Sequence, residues 1–121
     1  MKKILIVEDE PDVLKMVAFR VKKAGYEVVI AINGEKALEA VSTELPDLIL
    51  LDLRIPIIDG WEVCRRLKED KRFSSIPIII LSASMSSLNA EKTKELKAED
   101  YVLKPFEPEI LLGKIKYLIN R

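Results

Sequence analysis

The chain has 121 residues, with 20 basic residues against 20 acidic ones and no histidine. That length fits one domain with a real core, and the charge balance carries no basic footprint for nucleic acid. The lack of histidine excludes His-based triads and most transition-metal cages, and Cys64 as the only cysteine excludes an internal disulfide and suits a reducing compartment.

Lys3 to Val7 is an aliphatic run stopped by Glu8-Asp9-Glu10, which predicts a first buried strand with acid at its end. The run is too short for a signal-peptide core or a membrane span, so a cytoplasmic protein with no membrane partner is expected. Pro11 and Asp12 suit the first turn of a helix. Val13, Val17 and Val21, with Leu14 and Ala18, give that helix one apolar stripe, and Gly25 closes it. Glu27 to Ile32 reads as a second strand. Asn33 caps the next helix, whose core side carries Ala37, Leu38 and Val41 and which ends before Pro46.

Leu48-Ile49-Leu50-Leu51 then runs straight into Asp52, as a strand buried on both faces does. Pro56 and Asp59-Gly60 force a loop after it. Trp61, Val63, Cys64 and Leu67 line a third helix as core residues, and Lys68 to Ser75 reads as a polar loop. Pro77 to Leu81 is a fourth aliphatic strand, followed by Ser82-Ala83-Ser84. Ser86 to Ala98 is helical by propensity, with little apolar stripe beyond Leu88 and Leu96, and its charged stretch from Glu91 to Glu99 reads as a solvated face. Tyr101-Val102-Leu103 is a short fifth strand stopped by Lys104-Pro105. Pro108 starts a last helix with Leu111, Ile115, Leu118 and Ile119 inward.

Strand and helix alternate five times. The pattern predicts an α/β fold, a single-domain (βα)5 doubly wound parallel sheet in the flavodoxin-like order 2-1-3-4-5. In that order the strands with polar ends stand side by side. The first ends at Glu8 and Asp9, the third at Asp52, the fourth at Ser82 and the fifth at Lys104. Ligands of such sheets bind at these carboxyl ends, and Asp9 is expected to meet Asp52 at the switch point. Each residue alone has an ordinary reading as a cap, turn or surface group. Four such coincidences at adjacent strand ends argue for a site. Three carboxylates repel unless a cation joins them, and an all-oxygen set favours Mg²⁺. A hydroxyl and an ammonium opposite them would receive an anion with several oxygens, which suits phosphoryl transfer onto a carboxylate.

The runs Ile6 to Pro11, Asp52 to Gly60, Ile80 to Ala83 and Asp100 to Phe106 resemble those of receiver domains of two-component response regulators, and the resemblance covers residues 1–121. It implies that Asp52 is the phospho-acceptor and Asp9 the direct Mg²⁺ ligand, with Glu8 acting through water and the Arg54 backbone carbonyl completing the protein ligands. It implies that Ser82 is the hydroxyl that reaches for the phosphoryl group, Lys104 the family's lysine, Tyr101 its mobile aromatic, and Lys104-Pro105 a cis bond. The partners implied are a sensor histidine kinase or phosphotransfer protein and a downstream output protein or domain, with no direct nucleic-acid binding. The chain would then be a signal-transfer domain rather than an enzyme, catalysing at most its own phosphorylation and dephosphorylation. Charges on the last helix such as Glu109 and Lys114 permit a phosphorylation-dependent homodimer. The sequence departs from the family's pattern in its Glu8-Asp9 pair, where two aspartates are usual, and at Lys97, where glycine is frequent. Rival readings fit less well. A dehalogenase-type phosphatase wants a second acid where Arg54 stands, and a nucleotide-binding module wants a Gly-rich loop where Glu8-Asp9-Glu10-Pro11 stands. A phosphorylation-independent receiver used as a protein-interaction module is the alternative of consequence.

Overall fold

The computed structural model describes residues 1–82 and 95–120. Its elements are β1 (Lys3–Val7), α1 (Pro11–Lys23), β2 (Glu27–Ala31), α2 (Gly34–Glu44), β3 (Leu48–Asp52), α3 (Gly60–Glu69), β4 (Ile78–Ser82), β5 (Asp100–Leu103) and α4 (Pro108–Asn120). Ala83, Ser84, Leu88 and most of the helix expected from Ser86 to Ala98 lie outside the described residues; Glu95 and Leu96 are helical, and Leu96 is buried.

All strand pairs are parallel, in the order β2-β1-β3-β4-β5. Every residue of β3 and β4 is buried, because helices cover both faces of these central strands. Side-chain alternation divides the core in two. Ile4, Ile6, Leu48, Leu50, Ile79, Leu81 and Val102 pack against α1 and α4. Leu5, Val7, Ile49, Leu51, Ile78 and Ile80 pack against α2, α3 and Leu96. Each fully buried Leu or Ile contributes about 1.5–3 kcal/mol relative to leaving it in water. The sheet is therefore a rigid base for whatever stands at its end.

The expected caps are present. Asn33 accepts a hydrogen bond from the Lys36 amide at 2.7 Å, and Asp59 accepts one from Glu62 at 2.9 Å. Gly25 follows α1 at φ +100°, where an L side chain is disfavoured. Lys97 also has a positive φ of 57°, the left-handed turn for which glycine is the usual choice.

Two local expectations change. The helix α3 runs through Lys68 to Glu69, so Lys68 belongs to its last turn and the connecting loop starts later. Its Nζ donates to the Ser74 and Ile76 carbonyls at 3.1 and 3.0 Å and to both Glu99 oxygens at 2.8 Å. Glu99 in turn accepts the Ile78 amide at 2.8 Å. Glu99 is thus no solvated charge. It ties the start of β5 to the start of β4 and the end of α3, at the pole opposite the acidic strand ends. No helix among the described residues is long and apolar enough to cross a membrane.

Candidate functional site

Register decides which strand-end residues meet. Val7 pairs with Leu51, so Glu8 and Asp52, one step on, are neighbours. Asp52 pairs with Leu81, and Ser82 with Leu103, which brings Ser82 and Lys104 to the same edge. Glu8 continues the ladder, donating its amide to the Ala31 carbonyl at 3.1 Å.

Lys104 is the centre of the group. Its Nζ donates to Glu8 Oε1 at 2.5 Å and to Asp52 Oδ2 at 3.3 Å, and lies 3.8 Å from Glu10 Oε1. Its main-chain amide donates to the Ser82 carbonyl at 2.6 Å, and the bond to Pro105 is cis. Burial opposes the lysine charge, yet the Glu8 and Asp52 carboxylates outweigh it and hold its pKa above the ordinary value.

Asp52 is almost fully buried, and its Oδ1 accepts the Arg54 amide at 3.1 Å. Gly60 explains how the next loop turns away so tightly. A Cβ there would lie 2.4 Å from the Asp52 carbonyl oxygen and 2.5 Å from Leu53 Cα. Only glycine lets α3 start directly against β3.

Glu8 is fully buried, and its Oε2 has no hydrogen-bond partner. Burial first, then the neighbouring Asp52 carboxyl, push its pKa up to about 8 against the lowering pull of Lys104. A buried, orphaned carboxylate oxygen beside other carboxylates is what a hard cation or its water shell would satisfy. The oxygens of Glu8, Glu10 and Asp52 lie within 4.8 Å of one another, so the residues present fit Mg²⁺.

The third member of that group is Glu10, whereas the sequence placed Asp9 beside Asp52. Asp9 is exposed. Glu10 is extended (φ −82°, ψ 115°) and stands two residues beyond Glu8, the spacing at which a strand's period-2 pattern repeats. Continuing that pattern past Val7 would have found Glu10. Ser82 is buried at the end of β4. Tyr101 is half-exposed and borders a cavity of about 380 Å³ with Leu103, Phe106, Ile110 and Lys114.

The pattern of the response regulator receiver domain matches residues 4–116. Over 120 residues the chain is 38% identical to the alkaline phosphatase synthesis transcriptional regulatory protein PhoP of Bacillus subtilis, covering 99% of this chain and 49% of that one. The chain thus spans about half the length of such curated relatives. The crystal structure of the receiver domain of a signal transduction histidine kinase from Syntrophus aciditrophicus superposes with a TM-score of 0.92 at 31% identity, over 99% of this chain and 91% of that one. That of the sensor histidine kinase PA1611 receiver domain from Pseudomonas aeruginosa PAO1, with a magnesium ion coordinated in its active-site cleft, gives a TM-score of 0.91 at 28% identity, over 99% of this chain and 98% of that one. With the strand order, the acidic strand ends and these likenesses in agreement, the chain belongs to the receiver domains of two-component response regulators.

Proposed function

We propose that this chain, as one receiver domain over residues 1–121, accepts a phosphoryl group on Asp52 from a histidine kinase or phosphotransfer protein. The observation that carries this is Lys104 joining Asp52 and Glu8 at the end of a sheet otherwise packed with aliphatic residues.

One Asp52 carboxylate oxygen attacks phosphorus. An O–P bond forms while the N–P bond of the donor's phosphohistidine breaks, and the imidazole keeps the electron pair and is protonated. The Lys104 ammonium, 3.3 Å from Asp52 Oδ2, would hold an equatorial oxygen, and Ser82 would supply a hydroxyl donor at the neighbouring strand end. Glu8, Asp9, Asp52 and the Arg54 carbonyl are assigned to Mg²⁺, which supplies neutralisation of the charge that gathers between acceptor and donor. An apolar cavity of about 410 Å³ between Val13, Met16, Pro105 and Phe106, bordered by Glu10 and Lys104, gives room for the donor's flank. The only turnover is the domain's own phosphorylation and dephosphorylation.

Phosphorylation adds at least one negative charge and three acceptor oxygens at Asp52. Ser82 is drawn toward them, and Tyr101 moves inward behind it. The alternation of the core puts Ser82 and Tyr101 on the same side of the sheet, opposite Val102 and Leu81, which supports that coupling. The surface of β5 and α4, with the helix expected over residues 86–98 whose greater part lies outside the described residues, would then present a different face to an output protein or domain. A phosphorylation-dependent homodimer through α4 has to compete with internal pairs. Lys114 Nζ already lies 3.0 Å from Asp100 Oδ2, and Glu109 is 3.9 Å from Arg20. The setting is the cytoplasm, in keeping with the free, buried Cys64.

Intact mass after incubation with acetyl phosphate tests the reading. One added phosphoryl group with Mg²⁺ and none with EDTA is expected. No added mass under either condition would leave the phosphorylation-independent interaction module as the better account.

A further inference from the structure

We propose that Glu10 acts directly on the bound divalent cation, as a carboxylate at the lip of the site beside Glu8 and Asp52. The inference rests on the cation reading above and adds a residue to it.

An octahedral Mg²⁺ with bonds of about 2.1 Å sets its ligand oxygens roughly 3–4 Å apart. The oxygens of Glu8, Glu10 and Asp52 already stand within 4.8 Å of one another, so a single ion with its water shell spans all three. A second observation points to the same ligand. Glu8 is 0% exposed, and its Oε2 has no hydrogen-bond partner, so the floor of the cluster presents an unsatisfied buried acceptor.

The local backbone frees Glu10 for this role. It stands at the N-cap of α1, where Ser, Thr, Asp or Asn would turn back to cap the helix, and its side chain makes no such bond. Pro11 follows with no amide to satisfy. The Glu10 carboxylate instead leans to within 3.8 Å of Lys104 Nζ while its side chain stays 65% exposed. It is therefore the one carboxylate of the three that can follow an entering hydrated ion from solvent into the site.

The ordinary reading is a solvated acid that merely favours a helix N-terminus. Asp12 separates the two readings. It carries the same charge in the same first turn, is exposed, and is not one of the clustered carboxylates. Calorimetric titration of Mg²⁺ into the parent, E10Q and D12N, at fixed ionic strength, measures the difference. One carboxylate acting on a dication at close range through water-like dielectric amounts to about tenfold in affinity. E10Q should bind Mg²⁺ about tenfold more weakly than the parent, and D12N within about threefold of it. Melting curves in EDTA show that each variant is folded. The proposal is overturned if E10Q binds within twofold of a saturable parent, or if D12N loses as much as E10Q. A parent with no saturable Mg²⁺ binding overturns the cation reading itself, and this inference with it.

Discussion

The buried pair between Lys68 and Glu99 makes a measurable demand on stability. Its side chains are 6% and 17% exposed, and they meet at 2.8 Å. At an effective dielectric of about 20, Coulomb attraction at that distance is roughly 6 kcal/mol, most of which offsets the desolvation of the two ions. Removing one partner does not return that balance. It strands the other charge, at about 3–5 kcal/mol in a dry interior. Water reaches part of Glu99, so the low end applies and Lys68→Met should cost about 3 kcal/mol. The same change frees the Ser74 and Ile76 carbonyls. Glu99→Gln keeps the shape and an acceptor for the Ile78 amide, so about 2 kcal/mol is expected. The double variant should cost less than the sum, with a coupling of about 1–2 kcal/mol. Urea denaturation followed by circular dichroism reads all four corners of the cycle. Single variants within about 0.5 kcal/mol of the parent, with additive effects, would show that the pair is a screened surface bridge and refute the reasoning.

Glu8 makes the metal-free protein sensitive to pH. Its folded pKa is raised from 4.5 to about 8, so its contribution is fully present below the unfolded value and is lost as pH rises toward 8. Glu8→Gln should flatten the stability profile between those pH values in EDTA; an unchanged slope would mean that other groups set it. Asp9→Asn is expected to lose most of the Mg²⁺-induced gain in melting temperature. Without Mg²⁺ it should raise that temperature only slightly, because Asp9 is exposed and outside the close carboxylate group, and an undiminished Mg²⁺ response would remove Asp9 from the ligand set. Ser82→Ala should still accept phosphate at Asp52 yet fail to switch. Amide exchange over β5 with and without beryllofluoride checks this, and a parental response in the variant would sever the hydroxyl from the switch.

Much of this architecture is legible in the chain because its central strands are buried on both faces. Leu48 to Leu51 and Ile78 to Leu81 can be little else than inner parallel strands, and once their order is fixed Asp52 and Lys104 must converge. Caps are equally local, as Asn33 and Asp59 show. What escaped depends on three-dimensional neighbours or on how far a local pattern persists. Lys68 and Glu99 look like solvated charges in sequence, and only the approach of α3 to the start of β5 makes them a pair. Glu10 escaped because an acid just before Pro11 reads as an ordinary helix start, and α1 does begin at Pro11 as expected.

The central claim is that Asp52 is the residue that receives the phosphoryl group. Asp52→Asn is nearly isosteric, and the neutral amide can still accept the Arg54 amide hydrogen bond, so the fold should persist. Intact mass spectrometry of parent and variant, after the same treatment with acetyl phosphate and Mg²⁺, is the most direct measurement. The account predicts one added phosphoryl group on the parent and none on the folded variant. A variant that gains the same mass with the same Mg²⁺ dependence would contradict it.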